Sequence, residues 1–563
     1  MYPLPVSLLL LILSFSFRVS CLSLSNCNIT EVTLIRNTEL LTSLTLSNCT
    51  LPHLENAFFV RFDHLLQLEL QHSGLSNLDD FALNGLIRLQ SLSLGHNNLS
   101  VLRSWSSEPL GALSILDLSH NRLSKLRSKI FGLYPQLQQL DLQNNQINQI
   151  EEDSFYGLSH LKHLHLNGNQ LQHLDGSFFR GLHRLSSLSL QHNRIDSIEM
   201  ESFEGNTHLR SLRLDQNLLS SLQFLSQRGL ARLVHLNLSN NLVQKLEPLG
   251  LSKNFELQNL DLSFNNLTKL SKETLSGLDS LERLNISHNY VDEMETESLE
   301  SLVALLQIDV SLNRLTTLPE TLFHANTQLE EIILANNQIV KLSPQIFHKQ
   351  NHLRYMKLNG NALDDAKFLH RLSPSLNSLS LYVDLSSNRL SSVNLSSLLR
   401  FRYLNLADNN WNCAWLVANL VRKLPNSVNF ARPWSVINDW SENITNIDGV
   451  DCSEGESNRS IILLDVSAVP LQKTDNCECG QTYDDSNPSP PPLTWPKIPT
   501  DRFDSRSVII WMLAAIAIAF AGLRWLRRFV DRNEKRKLGK KELNNVYVSK
   551  VQWQPVRNEL ERS

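Results

Sequence analysis

An asparagine returns every 24 residues through the middle of this chain: Asn97, Asn121, Asn145, Asn169, Asn193, Asn217, Asn241, Asn265, Asn289, Asn313, Asn337 and Asn361. Leucines precede each one at fixed distances, as Leu137, Leu140 and Leu142 precede Asn145, so the unit reads L-x-x-L-x-L-x-x-N-x-L. Ser73 and Cys49 hold the same slot just before the series, and Cys27 one coil earlier. Asn388 and Asn409 continue it with steps of 27 and 21, which makes 17 coils. One such coil cannot bury its own apolar side, so neighbours must stack around a continuous core. The leucine-bearing stretch is then a short strand, and the asparagine amide serves backbone groups where the chain turns. Ten residues after the slot come Phe131, Phe155, Phe179, Phe203, Leu275, Leu299, Phe323 and Phe347, which are expected to fill the opposite, convex side.

From Leu22 to Trp415 this pattern resembles the 24-residue typical leucine-rich repeats of secreted and receptor proteins. The resemblance implies an α/β leucine-rich-repeat solenoid: a curved horseshoe with a parallel concave sheet, a disulfide-bonded C-terminal cap and, in this chain, one transmembrane helix. It is specific for fold and not for function, because the same scaffold serves immunity, adhesion and axon guidance.

The segments around the repeat place it outside the cell. An apolar run from Val6 to Phe17 is too short to span a bilayer and reads as a secretory signal over residues 1–21, with cleavage expected after Cys21. No Lys or Arg precedes that run, which departs from the usual signal. The coils occupy residues 22–410 and a cysteine-containing cap residues 411–480. A Pro-rich stalk over 481–506 follows, with Pro488, Pro490, Pro491 and Pro492 in it. Residues 507–526 are apolar enough to cross a membrane, and Arg524, Arg527, Arg528 and Arg532 then mark the cytoplasmic side. The chain thus reads as a single-pass type I plasma-membrane protein with its N-terminus extracellular. The basic tail, 527–563, is too short for a folded signalling domain. A net charge of -4 argues against nucleic acid as a partner.

Removing Cys21 leaves six cysteines, an even count in an exported chain. Cys27 and Cys49 share the asparagine slot of adjacent coils, and stacked strands about 4.8 Å apart suit a disulfide. The alternative is a pair of buried thiols. Cys413, Cys452, Cys477 and Cys479 allow three connectivities. Cys413 with Cys452 is favoured, and a Cys477–Cys479 bond would close a small strained ring. Pairing of Cys477 or Cys479 with another chain, as a homo- or heterodimer, competes with two bridges inside the cap. Asn410-Trp411-Asn412-Cys413-Ala414-Trp415-Leu416 lacks the usual C-x-C opening of such caps. It looks like the cap of transmembrane members of the insect leucine-rich immune protein family, in which a late cysteine pair mediates dimerisation.

On each coil the residues 7, 6, 4, 2 and 1 before the slot face the concave side, by strand alternation. In the last three coils that face carries Tyr355, Tyr382 and Tyr403 in one column, with Arg354, Lys357 and Arg402 beside them. Tyrosine and arginine are enriched at binding hot spots, so these six are the ligand-binding candidates; the blander reading is amphipathic filler near the cap. Sequons begin at Asn28, Asn48, Asn98, Asn237, Asn266, Asn285, Asn394, Asn443 and Asn458. Two of them, Asn237 and Asn285, would put glycans in the middle of the concave sheet. His72, His96, His120, His192 and His288 all precede the slot, but S-H-N is a common spelling of the repeat, and no carboxylate or cysteine completes a metal set. Asp117, Asp141, Asp261, Asp309 and Asp384 likewise belong to the L-D-L spelling rather than to an acid/base pair. No nucleophile elbow, zinc motif or phosphate loop is present, so neither an enzyme nor a cofactor is expected. The expected function is a recognition receptor or co-receptor for protein or microbial ligands, in innate immunity if the insect likeness holds. The alternative is a developmental cell-adhesion protein.

Overall fold

The computed structural model describes residues 20–416 except 37, 374, 377–379 and 395–400, together with the short strands Val428–Asn429, Thr445–Ile447 and Val450–Ser453. The expected signal as far as residue 19, the expected stalk, the apolar stretch 507–526, the basic tail and the cysteines Cys477 and Cys479 lie outside the described residues. So do the sequons at Asn443 and Asn458. Among the described residues no helix is long and apolar enough to cross a membrane.

The leucine pattern builds one parallel sheet. Its strands recur at the repeat spacing, from Cys21–Ser25 and Ser43–Ser47 through Gln139–Asp141 and His163–His165 to Tyr382–Asp384 and Tyr403–Asn405. Sixteen turns join these seventeen coil strands, and Val428–Asn429 adds one more beside Leu404–Asn405. The register is set by the middle apolar residue of each coil, in most of them a leucine. Leu140 pairs with Leu164, Leu164 with Leu188 and Leu188 with Leu212. A one-residue slip would turn that whole buried file out to solvent, so burial itself holds the register. The first strand opens at Cys21, an exposed thiol without a disulfide. Just before it the Ser20 carbonyl accepts the N–H groups of Thr42 and Ser43, so the ladder starts at the residues where cleavage is expected.

The recurring asparagine is buried and fully used. The Asn145 Oδ1 accepts the Leu123 N–H of the preceding coil at 3.0 Å. Its Nδ2 donates to Leu118 O of that coil and to Leu142 O and Gln143 O of its own. These are groups that would otherwise be unpaired in an apolar core, at about 1–3 kcal/mol each. Where cysteine replaces asparagine, Cys27 and Cys49 form the expected disulfide with a Cα–Cα distance of 4.4 Å.

The convex side carries little α-helix, and here the structure departs from an α/β label. The helix Ile29–Thr33, held by a capping box between Asn28 and Glu31, precedes turns, two-residue strands and 3₁₀ segments such as Gln223–Ser226 and Lys367–Arg371. The phenylalanines expected there are buried and stacked: Phe131 on Phe155 at 5.9 Å, Phe155 on Phe179 at 6.3 Å and Phe179 on Phe203 at 5.7 Å. At the far end Trp411–Asn412 pairs in parallel with Val450–Ser453, setting Trp411 opposite Cys452. Cys413 is disulfide-bonded.

Candidate functional site

The last three coil strands bring the three tyrosines side by side. Tyr355 pairs with Tyr382 and Tyr382 with Tyr403, although the repeat steps there are 27 and 21 residues rather than 24. The irregular lengths are taken up away from the strands, in part by the 3₁₀ segment Lys367–Arg371, so the concave register survives. The Tyr382 and Tyr403 rings stack at 4.7 Å and 11°, and Tyr355 lies tilted against Tyr382 at 6.1 Å. Such ring pairs add about 0.5–1.5 kcal/mol beyond the area they bury. Tyr355, the outermost, is 46% exposed. Burial, reinforced by Asp384 and Tyr403, pushes the Tyr382 hydroxyl above its ordinary range, so it remains protonated and able to donate.

The basic residues beside the column are mostly partnered. Arg354 Nη1 lies 3.3 Å from Glu330 Oε2, and Lys357 Nζ lies 3.5 Å from Glu331 Oε1. Asp384 sits next to Lys357 in the register and Asn405 next to Asp384. Arg402 makes no ion pair among the described residues. The patch is therefore a stacked phenol file framed by exposed ion pairs and one available guanidinium, not a simple basic surface. Exposed pairs of this kind contribute about 0.2–1 kcal/mol, little enough for a partner's own charges to replace them. Glu330 and Glu331 were missed in the sequence reading. Their signal was present: they stand 7 and 6 residues before Asn337, on the same face.

Two other sets of residues take structural roles. Asn237 Oδ1 accepts the Ser239 N–H and Asn285 Oδ1 the Ser287 N–H, each at 3.0 Å. Asp117, Asp141, Asp261, Asp309 and Asp384 accept the N–H two residues on in the same way. The L-N-L-S spelling of these sequons is thus the turn-forming L-D-L spelling with an amide in place of a carboxylate. Asn237 and Asn285, with Arg213, His235 and Arg283, line a shallow concave hollow. The five histidines before the slot all have positive φ, from 52° at His120 to 56° at His192. His72, His96 and His120 stack face to face, with centroids 4.3 and 4.0 Å apart. Parallel rings send their in-plane lone pairs in parallel directions rather than toward one point, and no metal-holding cluster of three His, Cys, Asp or Glu occurs among the described residues.

The model of the Leucine rich repeat family matches seven stretches, residues 63–123, 111–171, 135–195, 159–219, 183–243, 255–315 and 307–363, which together span 63–243 and 255–363. The chain belongs to the leucine-rich-repeat family. A search of the curated proteins gives no match. Among solved structures this leucine-rich-repeat chain is similar to the Toll receptor in the Toll–Spatzle complex, described as a hub in Drosophila development and innate immunity. There the identity is 21%, the TM-score 0.61, and 72% of this chain and 57% of that one are covered. It is similar to TLR13 in its complex with ssRNA13 at 24% identity and a TM-score of 0.56, covering 72% and 55%. It is also similar to the plant peptide hormone receptor RGFR1 in complex with RGF2, at 22% identity and a TM-score of 0.50, covering 69% and 62%. The chain spans little more than half the length of the first two. At these identities the likeness establishes the fold alone.

Proposed function

We propose that this leucine-rich-repeat protein is a cell-surface recognition receptor or co-receptor that takes a protein or microbial ligand on its C-terminal concave coils. The observation that carries the reading is the register-aligned column Tyr355, Tyr382 and Tyr403, with Arg402 unpaired among the described residues beside it. Stiff, amphipathic rings lose little conformational freedom on binding, and truncating one at an interface centre commonly costs about 2 kcal/mol or more. The similar receptors bind what their complexes state: Toll binds Spatzle, RGFR1 binds RGF2 and TLR13 binds ssRNA13. A net charge of -4 favours a protein over a nucleic-acid ligand for this chain. Export by the signal, anchoring by residues 507–526, signalling through a second protein and a role in immunity belong to this reading.

The test is proximity cross-linking on cells that express the full chain. The triple variant Tyr355→Ala, Tyr382→Ala, Tyr403→Ala should reach the surface normally and lose at least about 30-fold of the recovery of specific extracellular partners. Equal recovery with normal surface expression overturns the site. Clustering of expressing cells without any added ligand would support adhesion instead.

A further inference from the structure

The positions just before and just after the asparagine slot form two columns along one edge of the sheet. Elsewhere they hold mostly polar residues or glycine, such as His72, His96, Asn144 and Gly168 before the slot and Gly74 and Arg122 after it. From the coil of Asn217 to that of Asn313 one of the two positions in each coil is apolar. Leu218, Leu242, Phe264, Tyr290 and Leu312 all lie there, between 40% and 47% exposed. The coils are locked together at this edge, since Leu242, Asn266, Tyr290 and Arg314 donate their N–H groups to Leu219, Val243, Leu267 and Val291 in turn. The Phe264 ring stacks on His288 at 3.9 Å, and the Arg314 guanidinium covers Tyr290 at 4.4 Å. Phe264 and Leu312 also hold left-handed backbone, with φ of 53° and 55°. A bulky side chain there costs about 1–2 kcal/mol, on top of the cost of exposing it. A ridge of exposed apolar side chains on five successive coils marks a surface that something covers.

What covers it is indicated by its centre. Asn266 lies between Leu242 and Tyr290 in the same column and two residues after Phe264, and it opens the triplet Asn266-Leu267-Thr268. Its side chain makes no hydrogen bond among the described residues, whereas Asn28, Asn237 and Asn285 spend their Oδ1 on backbone N–H groups. We propose that Asn266 carries an N-linked glycan whose first N-acetylglucosamine lies over the ridge from Leu242 through Phe264 to Tyr290 and shields it from water. The flat C–H face of a pyranose is apolar and suits an aromatic ring, and a sugar attached at the centre of the ridge reaches it without a separate binding step. The inference rests on the export part of the functional reading.

The test uses the full chain produced in animal cells. Glycopeptide mass spectrometry should find Asn266 occupied in nearly every molecule. In detergent, Asn266→Gln should raise the binding of a hydrophobic dye several-fold and lower Tm. Asn98→Gln, at the same coil position on a polar background, should do neither. The Tm loss from Asn266→Gln should disappear in a Phe264→Asn, Tyr290→Gln background, where both rings of the ridge are gone and each new residue is one the repeat carries at that position elsewhere, as Asn144 and Gln146 do. Occupied sequons elsewhere with a bare Asn266 overturn this proposal alone, and a protein partner becomes the reading of the ridge. Absence of glycan at every sequon overturns the export reading with it. Equal Tm loss with and without the two rings overturns the shielding role.

Discussion

The residue before the asparagine slot has positive φ in all seventeen coils, from Asn26 to Asp408. This explains a sequence regularity that otherwise invites a metal. Histidine, asparagine and glycine recur there because they tolerate left-handed backbone, not because their side chains converge on a ligand. The stacked trio still has an electrostatic consequence. Burial lowers the affinity of His96 for a proton, and His120 and His72 lower it further, while Asp117 opposes them. Because the folded pKa lies below the unfolded one, the unfolded chain binds more protons as pH falls below the ordinary histidine range near 6.5. His96 therefore withdraws stability on acidification through and below that value and leaves it intact above. His96→Asn keeps a side chain suited to this backbone and removes the titration. The drop in Tm between pH 7.5 and 5.5 should be shallower in this variant than in the parent, with the two equal at pH 8. Parallel Tm curves would show that the stack does not titrate as described.

At the scale of the element, the strands were legible because leucine spacing and strand alternation impose the same answer. The convex side was legible only in part. Phe131, Phe155, Phe179 and Phe203 were readable as a column, but Phe224 and Phe368 come from 3₁₀ segments outside it. The break occurs where Gln227 takes the tenth position after the slot. Its amide bonds to Phe203 N and Glu199 O, and Phe224 packs on Phe203 at 6.0 Å instead. A polar residue that satisfies backbone groups carries no periodic apolar signal, so spacing alone could not foresee the substitution. The same holds at the tyrosine site, where the column was visible but the ion pairs to Glu330 and Glu331 depended on long side chains reaching across strands. Within the stack, Phe179 is fully buried between Phe155 and Phe203. Phe179→Ala should cost about 4 kcal/mol, read as a lower urea midpoint and as faster hydrogen exchange in its own and the two adjacent coils. A loss below about 1 kcal/mol would mean that the convex turns collapse to fill the space.

Along the described solenoid, stability is largely a chain of nearest-neighbour terms, because each coil packs mainly against the coils beside it. Both ends of the described solenoid carry a cystine where stacking stops: Cys27 with Cys49 at one, and the disulfide-bonded Cys413 at the other. The first closes a loop with a sequence separation of 22, and chain entropy gives such a closure about 3 kcal/mol. In a one-dimensional array that stabilisation acts mainly on the coils next to it. Cys27→Ser with Cys49→Ser should therefore accelerate amide exchange in the strands Cys21–Ser25, Ser43–Ser47 and Gln67–Glu69, and leave Tyr355–Lys357 and Tyr382–Asp384 as protected as before. Cys413→Ser with Cys452→Ala should do the reverse, loosening Tyr403–Asn405 first and weakening partner recovery through the tyrosine column. If either pair loosened both ends alike, the array would unfold as one unit, and the tyrosine site would owe its geometry to the whole solenoid rather than to the cap beside it.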